Sequence, residues 1–329
     1  MLLRNPLRAA VAALALFVSI ACPGAVPVLR ADVEAFIEEM AGKHGFEPGP
    51  LRRLFGTVQP RPSIIRAMSA PGTARPWYDF RRRHVDPGRI EGGVRFWAAN
   101  AAVLERAGRE FGVPPEVIVA TIGIETLYGR NMGGFRVIDA LSTLAFDYPP
   151  RADFFRRELE EYLLLTRDWD ISTATRGSYA GAIGIPQFIP SSYRKYAIDF
   201  DGDGRRDLVA SPADAIGSVA NYYQTYGWKA GAPVVSPANT GELDVAPFIA
   251  QGIKPHTPVG ELKAKGFTVM EPVDDATVAT IFQLETESGP RVMLGFNNFY
   301  VITRYNRSQN YAMAVYELSR EIRTAYGAQ

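Results

Sequence analysis

The segment Val117-Ile-Val-Ala-Thr-Ile-Gly-Ile-Glu-Thr-Leu-Tyr-Gly129 is apolar nearly all round, with one carboxylate, Glu125, close to its end. At helical spacing such a segment has no polar face to offer water, so it belongs in a protein interior. Gly112 ends the preceding helical stretch, and Pro115 suits the first turn of the next, predicting a helix over Glu116–Tyr128. An ionised carboxylate buried without a partner is very costly, so Glu125 either protonates or finds a cation. Desolvation raises a carboxyl pKa. A carboxyl kept neutral near pH 7 is what general-acid cleavage of a glycosidic bond requires. The structural alternative is an ion pair with Arg130 or Arg136.

Other parts of the chain narrow the choice. Its 329 residues predict two domains and a sizeable core. Lys and Arg number 36 against 35 Asp and Glu, so no basic excess asks for nucleic acid as a partner. One cysteine and three histidines exclude an intramolecular disulfide and all but exclude a Cys/His zinc site. Arg4 and Arg8 precede an uncharged run from Ala9 to Cys22, followed by small residues. That pattern predicts a secretory signal over residues 1–25, since the run is shorter than the ~20 residues that span a bilayer. An uncleaved anchor or a buried helix is the alternative. Cleavage near Ala25 leaves a cysteine-free soluble chain suited to an oxidising compartment. Cleavage before Cys22 would instead leave a lipid-anchored cysteine, but Ser19-Ile20-Ala21 lacks the leucine expected three positions ahead. The soluble form is favoured.

Residues ~30–112 read as helical, with Asp32 as a cap and Val33, Phe36, Ile37 and Met40 on one face. Pro60, Pro62, Pro71 and Pro76 interrupt the pattern, and one helical stretch resumes from Arg89 to Phe111. Asp153–Thr166, Pro212–Tyr226 and Tyr311–Ala325 read as helices, and the Gly-, Ser- and Pro-rich residues 176–207 as a loop. From Pro233 to about Val292 the composition shifts, and Thr277–Glu285 and Arg291–Leu294 are strand-like.

Three further constellations carry polar chemistry. In Arg176-Gly-Ser-Tyr-Ala-Gly-Ala-Ile-Gly-Ile-Pro-Gln-Phe-Ile-Pro-Ser-Ser192, glycines allow close approach to a ligand, and Ser178 and Gln187 offer hydrogen bonds of the kind sugar hydroxyls need. A tight surface turn is the alternative. Asp199-Phe-Asp-Gly-Asp-Gly-Arg-Arg-Asp207 matches the first half of an EF-hand loop, but its twelfth position is Ala210. Asp207 or Asp214 is left to close it, unless the loop is merely an acidic turn. Tyr305, Asn306 and Tyr311 cluster before the last helix and suit either saccharide binding or packing at a domain seam. Ser192-Tyr-Arg-Lys195 matches S-x-x-K with no companion motif, and His44, His84 and His256 are scattered.

The four segments, in this order over about residues 90–325, resemble the lytic murein transglycosylase B family. The resembling blocks are Gly123–Gly129, Arg176–Ser192, the acidic loop running into Asp214–Tyr222, and Asn298–Asn306 with Tyr311–Val315. The resemblance implies an α+β, mainly α chain: a helical region over 26–90, a lysozyme-like catalytic core over 91–232, a β-rich insert over 233–292, and a segment over 293–329 completing the core. It implies a periplasmic enzyme acting on peptidoglycan glycan strands as a monomer. Such an enzyme cleaves the MurNAc–GlcNAc β-1,4 bond without water and leaves 1,6-anhydro ends. Glu125 matches the family's catalytic glutamate. Arg151, Ser178, Gln187, Tyr222, Tyr305, Asn306 and Tyr311 match groove residues, with Tyr305 a candidate partner for Glu125 and Ser178 for the acetamido group. No organic cofactor is expected. A structural calcium ion is expected at Asp199, Asp201, Asp203, Arg205 through its carbonyl, and Asp214, although the chain is one residue longer before Asp214 than the family pattern. A muramidase-type hydrolase and a non-catalytic peptidoglycan-binding protein remain the alternatives.

Overall fold

A computed structural model describes residues 28–69 and 75–328; the signal-like segment and Cys22 lie outside the described residues. The chain divides into two compact units, Met1–Thr57 and Val58–Gln329, so the helical region expected over 26–90 is shared between them. In the first unit the helices Ala31–His44 and Pro48–Phe55 meet through Phe36 and Phe55, whose rings lie edge to face at 5.9 Å. Phe36, Ile37 and Met40 are buried as their spacing requires. Asp32 does not cap. The helix begins one residue earlier, and the Asp32 carboxylate sits in its first turn, paired with Arg30 at 2.7 Å.

The second unit is mainly helical with a small antiparallel sheet. Pro115–Thr126 runs through its middle, buried from Glu116 to Gly123 and again at Thr126. The helices Pro87–Ala99 and Gln309–Gly327 pack along it. The stretch read as one helix from Arg89 to Phe111 is two, Pro87–Ala99 and Ala101–Phe111, broken at Asn100, whose side chain turns back to the Phe96 carbonyl. The loop expected over 176–207 contains the helix Pro190–Tyr196. Ser192 and Lys195 lie on it, and the Lys195 ammonium sits over the Tyr196 ring.

The strand-like stretches are a hairpin, Val278–Thr286 with Gly289–Gly295, turned by Glu287 and Ser288. Val235–Asn239 pairs with its second strand, and the short strands Thr257–Pro258 and Thr268–Val269 close the edges. Ile281, Leu294, Phe267 and Leu262 form a separate apolar core there.

The central helix ends abruptly. Leu127 and Tyr128 follow at φ of 53° and 63°, two successive non-glycine residues in left-handed conformation, at a cost of ~1–3 kcal/mol each. Packing holds them there. The Tyr128 hydroxyl donates to the Arg89 carbonyl at 2.6 Å, and its ring lies so close to Gly123 that a Cβ there would fall 2.5 Å from the hydroxyl. Gly123→Ala is therefore expected to destabilise the protein by about 1–3 kcal/mol. An unchanged melting curve would contradict this account of the helix end.

Candidate active site

Glu125 lies in the last turn of the central helix, two residues before the left-handed pair. Its side chain keeps some access to solvent, but apolar and aromatic neighbours surround the carboxyl. Desolvation pushes its pKa from 4.5 to about 7, against a smaller lowering by a hydrogen bond from Tyr311. That bond, Tyr311 Oη to Glu125 Oε1, is 2.6 Å long. Among the described residues no cation pairs with Glu125: Arg130 donates to the Leu127 carbonyl, and Arg136 reaches Asp139 at 3.3 Å. The ion-pair alternative is thereby removed.

The expected Glu125–Tyr305 bond is not made. The Tyr305 hydroxyl donates to the Pro186 carbonyl at 2.6 Å, while its ring stacks on Tyr311 at 6.4 Å between centroids. Tyr311 stands in the first turn of the last helix, where the Ser308 side chain caps its amide and fixes its direction. Both tyrosines are held well above the ordinary phenol pKa, first by burial and then by the Glu125 charge, so both remain donors. Tyr222 is buried, with its ring 4.8 Å from that of Tyr305 and its hydroxyl given to the Arg304 carbonyl. It contributes a wall rather than a free hydroxyl. Tyr223 was not expected here; it is buried, shares a 2.7 Å hydrogen bond with Thr121, and adds its ring 5.7 Å from Tyr305. The adjacent Tyr222-Tyr223 pair was the signal in the sequence.

The Ser178–Gln187 loop folds onto the same place. Thr126 Oγ1, next to Glu125, donates to the Ile185 carbonyl at 2.8 Å, which ties the loop to the helix. The loop's glycines bring backbone to backbone rather than backbone to ligand. Gly184, at φ 74°, would put a Cβ 2.3 Å from the Leu208 carbonyl oxygen. Gln187 takes a left-handed φ of 53°, and its amide nitrogen donates to the Met132 and Gly184 carbonyls, leaving Oε1 as a free acceptor. Ser178 Oγ accepts from the Ala180 and Ala182 amides, leaving its proton to donate. Asn306 is exposed, with its side-chain amide uncommitted. Arg151 is exposed on the Pro149–Arg151 turn, its guanidinium 4.4 Å from the Phe154 ring centroid, and has no contact with Glu125.

A cavity of about 650 Å³ opens at the other end of the central helix, beside Trp228. Its carboxylate, Glu116, is paired with Arg323 at 2.8 Å, so it has no carboxyl free to move a proton.

In the acidic loop, carboxylate oxygens of Asp199, Asp201 and Asp203 converge within 4.8 Å of one another. Arg205 is exposed, its amide held by Asp203 at 2.8 Å. A cluster of carboxylate oxygens with no cation of the chain among them fits a hard divalent ion. Asp214 stands apart. It is fully buried, and its two oxygens accept from the amides of Phe200, Asp201 and Asp207. It is not among the three that converge, and it pairs backbone amides that would be costly to leave unpaired in the interior.

A family model for the transglycosylase SLT domain matches residues 29–320. Membrane-bound lytic murein transglycosylase B of Escherichia coli (strain K12) is 41% identical over 305 residues, covering 89% of this chain and 83% of that protein. The Escherichia coli lytic transglycosylase Slt35 in complex with calcium is 40% identical and superposes with a TM-score of 0.83, covering 91% of this chain and 94% of that one. SltB3 from Pseudomonas aeruginosa in complex with NAG-NAM-pentapeptide is 32% identical, with a TM-score of 0.79, covering 88% and 78%.

Proposed function

The chain belongs to the transglycosylase SLT domain family, and from that premise we propose that it is a lytic murein transglycosylase with a lysozyme-like core. It cleaves the MurNAc–GlcNAc β-1,4 bond of peptidoglycan and leaves a 1,6-anhydro-muramic end. The observation that carries this reading is a single carboxyl, Glu125, held near pKa 7 with no ion-pair partner and one short hydrogen bond from Tyr311. Residues 91–232 and 293–329 are taken as the catalytic core and 233–292 as its insert.

In the reaction, protonated Glu125 gives its proton to the glycosidic oxygen as the C1–O bond breaks. The substrate's own acetamido oxygen assists at C1, an exception known among glycosidases. Ionised Glu125 then takes the proton of the muramic C6 hydroxyl, whose oxygen attacks C1, closes the anhydro ring and displaces the acetamido oxygen. Glu125 ends protonated and no water is consumed, so a second carboxylate has no task. Tyr311 steadies the ionised stage. Ser178 is suited to donate to the acetamido group, Gln187 and Asn306 to bond sugar hydroxyls, and the rings of Tyr222 and Tyr305 to line the groove.

Digestion of sacculi in heavy-oxygen water tests the reaction class. The expected muropeptides are anhydro and unlabelled. Reducing ends carrying the label would mean a hydrolase, and no release at all would mean a binding protein.

Calcium is the proposed occupant of the acidic loop, held by Asp199, Asp201 and Asp203 with the Arg205 carbonyl, in a structural role. A ligand that binds only the folded state at 100 times its Kd adds ~2.7 kcal/mol. Added calcium is therefore expected to raise the melting temperature by several degrees and a chelator to reverse it; identical curves would remove the ion from the account. The periplasm is the proposed location, supported by the signal-like segment and the peptidoglycan substrate. Among the described residues no helix is long and apolar enough to cross a membrane.

A further inference from the structure

Gln187, suited to bond sugar hydroxyls, sits in a conformation it would not keep alone. Its φ of 53° is left-handed, a region that few residues other than glycine occupy. It ends a tight turn. Ile183 and Phe188 exchange backbone hydrogen bonds at 2.8 and 3.1 Å, closing over Gly184–Gln187, and the Gln187 amide donates to the Gly184 carbonyl at 3.1 Å. Such a conformation persists only where its surroundings fix it, so the bonds that the turn makes outward decide where Gln187 points.

Two of those bonds lead into the site, from Thr126 to the Ile185 carbonyl and from Tyr305 to the Pro186 carbonyl. Another leads away from it. The Ile185 amide donates at 2.8 Å to the carbonyl of Leu208, a fully buried residue just past the acidic loop. Leu208 is held in turn by a phenol. Tyr193, fully buried on the helix Pro190–Tyr196, donates through its hydroxyl to the Arg206 carbonyl at 2.6 Å and accepts from the Leu208 amide at 3.0 Å. One hydroxyl thus clips residues 206 and 208 together.

The clip is itself fastened. The buried Glu158 carboxylate accepts from the Ser191 amide at 2.9 Å and from the Ser191 hydroxyl at 2.8 Å, on the helix that carries Tyr193. Burial holds the Tyr193 phenol well above its ordinary pKa, so it remains a donor. From it the path to the sugar groove has two steps, Leu208 and then Ile185.

We propose that Tyr193 is a positioning residue for saccharide binding: through Leu208 and Ile185 it sets the turn that presents Gln187 Oε1 to the sugar. The proposal rests on the glycan-cleaving function and on the Gln187 role given above. Tyr193→Phe keeps the ring beside Trp169, whose centroid is 6.0 Å away, but takes the hydroxyl from the Arg206 carbonyl and the Leu208 amide. Groups left unpaired in an interior shift to find partners, and the turn shifts with them.

The test uses the full-length protein on glycan strands, at constant calcium and below the melting transition of every variant. Tyr193→Phe is expected to raise KM about three- to tenfold and to leave kcat within about twofold, with the basic limb of the pH profile in place. Gln187→Gly removes the side chain while glycine tolerates the left-handed φ, and it is expected to raise KM to a similar degree. Added to Gln187→Gly, Tyr193→Phe is expected to raise KM no further. Thr280→Val controls for stability alone: it removes a buried hydroxyl that donates to the Gly252 carbonyl at 2.7 Å from the hairpin strand Val278–Thr286, and wild-type KM is expected. An unchanged KM in Tyr193→Phe, a moved pH limb, multiplied effects in the double variant, or a matching KM rise in Thr280→Val would each overturn the proposal. Should Tyr193→Phe fail to fold, native hydrogen exchange of the wild type decides: the Ile185 and Leu208 amides are expected to open together, and a fast Leu208 beside a slow Ile185 would overturn the clip. Wild-type KM in Gln187→Gly would remove the Gln187 role and the proposal with it, while anhydro product from the wild type keeps the underlying function standing. Absence of that product would overturn the function itself.

Discussion

Glu125→Gln is expected to release no detectable anhydro product while still binding glycan strands close to wild-type affinity. Glutamine keeps the shape of the side chain, and its amide oxygen can still accept from Tyr311 Oη. What it loses is the exchangeable proton on which both halves of the reaction depend. General acid–base groups contribute about 10²–10⁴-fold each, and here one residue serves as acid and then as base, so a loss of at least ~10³-fold follows. Product release within tenfold of wild type would remove Glu125 from the mechanism.

The same substitution has the opposite effect on stability, and the sign follows from the proton balance. Below pH 4.5 the carboxyl is protonated in both folded and unfolded chains. Between 4.5 and about 7 the unfolded chain has lost the proton and the folded chain has not, so stability falls as pH rises; above about 7 the loss is complete. Glu125→Gln removes this loss. The variant is expected to be more stable than wild type by about 1–3 kcal/mol at pH 8, allowing for the partial solvent access of the site, and no more stable at pH 4. Denaturant melts at the two pH values decide it, and a gap that is largest at pH 4 would reverse the assignment.

Tyr311→Phe carries the second large effect. The Tyr311 hydroxyl favours the ionised carboxylate, and among the described residues its hydrogen bond opposes the rise that desolvation gives the Glu125 pKa. Without it the pKa moves above about 7, and the basic limb of the kcat/KM profile moves to higher pH. At the same time the carboxyl loses its fixed direction, and kcat falls on the order of 10–100-fold. A limb that stayed in place or moved to lower pH would show that Tyr311 does not govern this proton. Tyr305→Phe is expected to act differently, because its hydroxyl serves the Pro186 carbonyl: it loosens the loop that carries Gln187 and raises KM more than it lowers kcat.

Local rules made much of this architecture legible. All-round apolarity over Val117–Ile124 announces a buried helix, and Glu125 stands out because no other residue from Val117 to Gly129 is charged. Enrichment in Val, Thr, Ile and Phe marks the hairpin strands, which are buried without alternation over Ala279–Phe282 and Val292–Gly295. The helix Asn297–Tyr305 is less visible. Its Phe, Tyr, Val, Ile and Thr favour strands in isolation, and packing of Phe299 against Phe282 at 4.5 Å overrides that preference. The break at Asn100 has neither glycine nor proline to announce it. The choice between Tyr305 and Tyr311 as the partner of Glu125 spans more than 180 residues of sequence and depends on how the last helix is capped and aimed, which no local pattern encodes. Asp214 suits a ligand by type and spacing, and the three backbone amides that its oxygens accept from are equally invisible to any local pattern.

Direct titration of Glu125, by carboxyl carbon NMR of selectively labelled protein with Glu125→Gln as the assignment control, addresses the central claim without any substrate. The account predicts one glutamate signal with a midpoint near 7, absent in the variant. A midpoint near the ordinary 4.5 would contradict it, because a carboxylate already ionised at neutral pH has no proton to give to the leaving oxygen.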